Sequence, residues 1–251
     1  MVENFDFKKG IELLLSQDID KEIFEKYQSD CDAIMKVICE EEKNYAKYFD
    51  DYSNRIARTE YATKSMCVPR GFYCPSKIID IISNLKRGKL TKRGKYDFIY
   101  NFDENGQLIF IRRSNLKACE FIKYDKNYEF GITFRRRNKI EAITECEFYD
   151  NGRIKQFLYY HRDSVESKNV ILEKEFYQYD GDKTEVTRVQ FIPKDLNSLN
   201  NKSIYSEEKY IFSKIDENKF QYVSKQIYPK IITTGISVEN IVRQVNGAYP
   251  F

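Results

Sequence analysis

Tyr96-Asp97-Phe98-Ile99-Tyr100-Asn101-Phe102-Asp103-Glu104-Asn105-Gly106-Gln107-Leu108-Ile109-Phe110-Ile111 decides the fold. Ahead of its turn, Tyr96, Phe98, Tyr100 and Phe102 share one face, and Asp97, Ile99, Asn101 and Asp103 share the other. That period of two belongs to a pleated strand and is of no use to a helix. Asp103 to Gly106 supplies the residue types that enter positive φ cheaply and close a tight hairpin. Beyond it Leu108 and Phe110 oppose Ile109 and Ile111, a second strand.

The same pattern runs outward from Lys95 to Tyr228. Tyr149-Asp150-Asn151-Gly152 and Tyr179-Asp180-Gly181-Asp182 are further turns of this kind, with Tyr124-Asp125-Lys126-Asn127 and Ile215-Asp216-Glu217-Asn218 as weaker copies. Strand-like sequence flanks each: Phe130, Ile132 and Phe134, then Ile154 and Phe157 to Tyr160, then Phe176, Val186, Val189 and Phe191, and last Tyr210, Phe212, Phe220, Tyr222 and Ile227. Successive hairpins pair most simply with their neighbours, which gives an antiparallel meander. The intervals between turns lengthen along the chain, so a fixed-period solenoid is not expected. Several strands are apolar on both faces, so part of the sheet must be covered, and the N-terminal segment is the expected cover.

That segment carries a helical pattern. Gly10 to Leu15 is a short apolar run, and Asp18 or Asp20 can cap a longer helix directed toward Tyr61. Tyr27, Cys31, Ile34, Ile38, Tyr45, Tyr48 and Tyr52 recur at spacings of three and four with Glu41 interrupting, a stripe that buries one side of a helix. The interruption and the aromatic residues favour packing on the chain's own sheet over a coiled-coil dimer. Val68-Pro69-Arg70-Gly71 and Cys74-Pro75 end the pattern. A shorter helix is expected from Ser76 as N-cap through Ile78, Ile79, Ile82 and Leu85 to a stop at Gly88. The expected class is therefore α+β, with N-terminal helices packed on a large antiparallel β-meander sheet. Residues 1–90 form the helical segment and 91–251 the sheet region, together one structural unit.

Composition narrows function more by exclusion than by assignment. With 251 residues the chain can bury a core, and Tyr 20 with Phe 18 and no Trp suits strands. A net charge of +3 is too small to announce a nucleic-acid or membrane partner. The first residues hold no apolar signal core, and no stretch approaches the roughly 20 apolar residues of a membrane span, so a cytoplasmic protein is expected. Cys31, Cys39, Cys67, Cys74, Cys119 and Cys146 are scattered without a Cys-x-x-Cys pair, and His161 is the single histidine. Free buried thiols are thus expected instead of disulfides or zinc. No phosphate-binding glycine loop, dinucleotide fingerprint or nucleophile elbow occurs, so neither catalytic, cofactor-binding nor metal-binding residues are assigned, and a non-enzymatic chain is expected.

Two surfaces remain. Lys86, Arg87, Lys89, Lys92, Arg93 and Lys95 form the densest basic run, and Arg112, Arg113, Arg135, Arg136, Arg137 and Lys139 add to it. Beside stacking aromatics such cations suit a single nucleic-acid strand, the alternative function. The leading expectation is a protein-binding module, because Tyr, Phe and Arg are enriched where partners bury surface. Tyr100, Phe110, Tyr124, Phe134, Arg136, Tyr159 and Tyr160 are the candidate contact residues.

Phe148-Tyr149-Asp150-Asn151-Gly152-Arg153-Ile154-Lys155 resembles the aromatic-Asp-Asn-Gly hairpin units of bacterial YD-like and MORN-like repeat proteins, and Phe102-Asp103-Glu104-Asn105-Gly106-Gln107-Leu108 is similar. Such units occur among cytoplasmic immunity proteins that neutralise polymorphic or contact-dependent toxins. The resemblance covers at most the sheet. It implies a hairpin sheet and, as the most concrete form of a binding module, a bacterial immunity protein whose partner is a cognate toxin domain.

Overall fold

A computed structural model describes residues 19–63, 69–82, 86–92, 95–114, 117–136, 139–162, 170–193, 203–228, 241–246 and 250–251. The chain divides into two compact units, the first taking Met1–Ala33, Asn169–Tyr249 and Phe251, the second Ile34–Lys168 and Pro250. Helix α1 (Lys21–Glu41) contributes to both, a 3-10 turn follows at Glu42–Asn44, and α2 (Tyr45–Asn54) continues the run. Among the described residues the N-terminal helical portion is mainly one run from Lys21 to Asn54 instead of several separate helices, and the class is α+β with most of the structure in antiparallel sheet. The 3-10 turn falls where Glu41 interrupts the apolar stripe. There the Glu41 carboxylate accepts hydrogen bonds from Asn44 Nδ2 and the Tyr48 hydroxyl, both at 2.9 Å. Asp20 caps the start, its Oδ1 accepting from Glu22 N at 2.9 Å. The run stops at Asn54 instead of reaching Tyr61, because Arg58–Thr63 is taken up as strand β1.

Among the described residues the second unit holds eight strands: β1, β2 (Lys89–Thr91), β3 (Phe98–Phe102), β4 (Leu108–Arg113), β5 (Ala118–Asp125), β6 (Tyr128–Arg135), β7 (Lys139–Phe148) and β8 (Ile154–His161). From β3 to β8 each strand pairs antiparallel with its successor, while β1 lies between β3 and β2. Residues 1–90 therefore supply two strands as well as the helical run. Turn chemistry works as its residues require: Asp103 Oδ1 accepts from Asn105 N at 3.0 Å and Gln107 N at 2.9 Å, and Gly106 and Gly152 adopt φ of 77° and 78°.

Register assigns each residue to a face. Asn101, Phe110, Phe121, Ile132, Ile143 and Tyr160 stand in one row across β3 to β8. Helix α2 covers this row, with Tyr48 stacked on Phe121 at 5.5 Å and Tyr52 against the same ring at 5.3 Å. Burial and the Glu41 carboxylate push the Tyr48 phenol well above its ordinary value, and Lys123 Nζ donates to its oxygen at 2.7 Å. The opposite face buries Ala62, Phe98, Tyr100, Phe102, Ile111 and Ile122, with Tyr73 of the Gly71–Tyr73 turn packed on it. Of the expected helix beyond Ser76 the described residues show α3 (Ile79–Ile82), and Leu85 lies outside the described residues, as does the Gly10 to Leu15 run. Ser76 does cap it, its Oγ accepting from Ile79 N at 3.1 Å.

On that opposite face sits a buried charge network. Arg70, 1% exposed, donates from Nε to Glu120 at 2.7 Å, from Nη1 to Glu129 at 2.6 Å and from Nη2 to Thr144 Oγ1 at 2.7 Å. Thr144 in turn donates to Glu120 Oε1 at 3.0 Å, so residues from β5, β6 and β7 converge on one guanidinium. Gly131 lies in the middle, where a Cβ would stand closer than 3.0 Å to Glu120 Oε1, Thr144 Oγ1 and Arg70 Nη2.

The first unit contains β9 (Ile171–Asp180), β10 (Lys183–Ile192), β11 (Ile204–Asp216), β12 (Lys219–Tyr228) and β13 (Ile241–Asn246), each antiparallel to the next. Tyr27 of α1 packs on Tyr205 at 5.4 Å and Phe191 at 6.1 Å, and Phe251 meets Phe212 on the other face at 5.0 Å. Lys174 pairs with Asp30 at 2.6 Å and Arg188 with Glu173 at 2.8 Å.

Cys31, Cys74 and Cys146 are buried, Cys119 is half-buried and Cys39 is exposed, none of the five in a disulfide, and Cys67 lies outside the described residues. Burial, with Asp30 and Asp32 alongside, pushes the Cys31 thiol up to about 12. Because the thiolate is the nucleophile, its population at pH 8 is then roughly one in ten thousand. In native protein treated with iodoacetamide at pH 8, mass spectrometry is expected to find Cys39 alkylated first and Cys31 spared until urea unfolds the chain. Alkylation of Cys31 at the rate of Cys39 would contradict this burial.

Candidate functional site

The row next to the one under α2 is only partly covered, and it forms the floor of a groove. Ile99, Arg112, Cys119 and Phe134 are cross-strand partners in turn on β3, β4, β5 and β6. Tyr45 and Phe49 of α2 make one wall, with Tyr45 edge-on to Phe134 at 5.4 Å and Phe49 edge-on to Phe110 at 5.9 Å. Tyr96, Arg113, Ser114, Lys117, Ala118 and Arg136 complete the lining around a volume of about 760 Å³. That size falls among ordinary ligand pockets, roughly 300–1,000 Å³.

Backbone bonds hold the rim together. Ser114 Oγ donates to Tyr96 O at 2.6 Å and Ser114 N to Asp97 O at 2.9 Å, which fixes the β4–β5 turn against the entry to β3. Arg136 N donates to Lys117 O at 3.4 Å, tying two neighbouring hairpin ends. Lys117 and Arg136 have φ of 49° and 55°, the left-handed region where a side chain costs roughly 1–2 kcal/mol relative to glycine. The Tyr96 ring is exposed and meets Tyr61 at 4.9 Å, which extends the aromatic surface toward the β1–β2 edge.

Charge sets this groove apart. Arg55, Arg58, Arg70, Arg87, Arg135, Arg162 and Arg188 all form ion pairs with carboxylates. Among the described residues Arg112, Arg113, Lys117 and Arg136 form none, and all four line the groove. Arg113 Nε is buried without a hydrogen-bond partner, its guanidinium 5.4 Å from the Phe98 ring centre. Within the wider basic set, Arg135 is bound to Glu141 at 3.0 Å and Lys139 to Glu42 at 3.6 Å, and Arg137 lies outside the described residues. In the Lys86 to Lys95 run, Arg87 is engaged with Asp80 and the carbonyls of Cys74 and Ser76, and Arg93 is outside the described residues.

Of the seven candidate contact residues, the groove brings together Phe134 in its floor and Arg136 on its rim. Tyr100, Phe110 and Tyr160 are buried. Tyr100 accepts from Phe72 N at 2.8 Å, and burial raises its phenol. Tyr124 is half-buried and donates to Leu108 O at 2.8 Å, and Tyr159 stacks on His161 at 4.8 Å away from the groove. Tyr45, Phe49, Tyr96, Lys117 and Cys119 escaped the sequence reading as site residues. Tyr45 and Tyr96 carried only the periodic signal of a buried stripe and a strand face, which says nothing of where a cover ends.

No protein-family model matches the chain, and neither a curated protein nor a solved structure matches it. Among the described residues no group of three or more His, Cys, Asp or Glu is placed to hold a metal ion, and no helix is long and apolar enough to cross a membrane.

Proposed function

We propose that this chain is a non-enzymatic protein-binding module, most concretely a bacterial immunity protein that neutralises a toxin domain in the cytoplasm. One observation carries the reading: unpaired Arg112, Arg113, Lys117 and Arg136 surround a groove beside the exposed rings of Phe49 and Tyr96. Arginine and aromatic side chains dominate the energetics of protein interfaces, because they bury large area at small entropic cost and bond at their tips. The likeness of the Asp103 to Gly106 and Asp150 to Gly152 turn units to those of immunity proteins supports the concrete form.

The test is affinity capture with the intact chain in its native host, purification of the captured protein, and titration calorimetry of the pair. A one-to-one complex is expected, with any toxic activity of the partner lost on binding. Phe49→Ala and Tyr96→Ala are each expected to weaken the complex about tenfold, the effect of some 1.4 kcal/mol at an interface anchor. Absence of a stoichiometric protein partner would count against the module reading. Cations beside rings also suit a single nucleic-acid strand, which is the second reading.

A further inference from the structure

We infer that the groove receives an acidic segment of the protein partner, with carboxylates on Arg112, Lys117 and Arg136 and an apolar side chain against Tyr45, Phe49 and Tyr96. The inference rests on the protein-binding reading above and adds the chemistry of what enters the groove. Seven other guanidinium groups among the described residues are matched to carboxylates, Arg70, Arg135, Arg162 and Arg188 among them. The groove cations Arg112, Lys117 and Arg136 have no such match among the described residues. A planar carboxylate supplies the acceptor geometry that an exposed guanidinium prefers.

Backbone geometry adds a second, independent observation. Lys117 and Arg136 occupy left-handed positions with φ of 49° and 55°, where glycine is the unstrained choice, and both direct charge to one rim. Each side chain stands there at a conformational cost, as those of Arg70 and Lys126 do outside the groove.

Local charge decides between an acidic protein segment and a nucleic acid. The chain as a whole carries only +3, far from the strongly basic balance of polyanion binders. Helix α2, which walls the groove with Tyr45 and Phe49, also exposes Asp50 and Asp51. A long phosphate backbone must run past those carboxylates and be repelled, whereas a short acidic stretch on a folded surface ends within the groove. A volume of about 760 Å³ likewise suits a few side chains more than an extended strand.

The experiment uses the intact protein and two polyanion probes, a short poly-L-glutamate of about 6 residues and a dT oligonucleotide of about 20, followed by fluorescence anisotropy at low and at physiological salt. Poly-L-glutamate is expected to bind more tightly than the oligonucleotide. Arg112→Ala is expected to weaken it about tenfold. Arg136→Gly is expected to weaken it similarly while leaving the thermal midpoint unchanged or raised, since glycine relaxes the left-handed residue. Equal poly-L-glutamate affinity in the parent and both variants would overturn the inference. Tighter oligonucleotide binding that is lost in the same variants would overturn it in favour of a nucleic acid. If a captured protein partner binds Arg112→Ala and Arg136→Gly as well as the parent, the acidic-segment inference falls and the protein-binding reading stands.

Discussion

Gly131→Ala is expected to destabilise the protein by about 3–5 kcal/mol, read as a lower urea midpoint at unchanged slope. The new methyl group would lie closer than 3.0 Å to three polar atoms at once: Glu120 Oε1, Thr144 Oγ1 and Arg70 Nη2. One of these alone could swing aside cheaply. Here each atom is also a partner of another, since Arg70 Nη2 bonds Thr144 at 2.7 Å and Thr144 bonds Glu120 at 3.0 Å. Making room therefore breaks a buried hydrogen-bonded ion pair, and that loss exceeds the roughly 1–3 kcal/mol of ordinary overpacking. Against a typical total stability of about 5–15 kcal/mol the variant should be marginal at 37 °C. A shift below 1 kcal/mol would mean that the network has slack absent from this geometry.

Arg70→Ala is the second large effect, also about 3–5 kcal/mol, through a different route. Arg70 is held charged by Glu120 and Glu129 despite full burial, and these carboxylates raise its proton affinity. Removing the cation strands Glu120, whose side chain is 1% exposed, and whose Oε2 already lacks a partner. Glu129 is 19% exposed and can recover part of its hydration. The double replacement Arg70→Met with Glu120→Leu should therefore recover most of the stability that Arg70→Ala loses, because apolar side chains of similar volume carry no stranded charge. Chemical unfolding of both variants decides the matter. If the double variant is as unstable as Arg70→Ala, the loss comes from packing at Pro69 to Gly71 and not from the charge.

The hairpin ladder was legible because its information is local. All five turn stretches singled out by Asp, Asn and Gly lie between consecutive strands, and Gly106, Gly152 and Gly181 have the positive φ that their types invite. The buried stripe of α1 and α2 was equally local, with Tyr27, Cys31, Ile34, Ile38, Tyr48 and Tyr52 all buried. Strand β1 was hidden because Arg58-Thr59-Glu60-Tyr61-Ala62-Thr63 buries only Ala62 fully, so its alternation shows little contrast in hydrophobicity. Three-residue β2 lies in a basic run whose chemistry gives no strand signal. The groove was less legible still. Its cations were visible as residues, but which of them remain unpaired depends on carboxylates brought from elsewhere, as Glu42 is brought to Lys139 and Glu141 to Arg135. No local pattern announces that Arg70 will meet Glu120, Glu129 and Thr144.

The order of pairing has a kinetic consequence. From β3 to β8 and from β9 to β13 each strand bonds to its successor, so a zipper of hairpins can start at any of several turns and grow one short closure at a time. Strand β1 is the exception, lying between β3 and β2, so that its pairing of Arg58 with Phe102 closes a longer loop than a hairpin does. Assembly of the second unit should therefore be rapid along the meander and slowest at its β1–β2 border, the margin to which Tyr61 and Tyr96 extend the groove's aromatic surface.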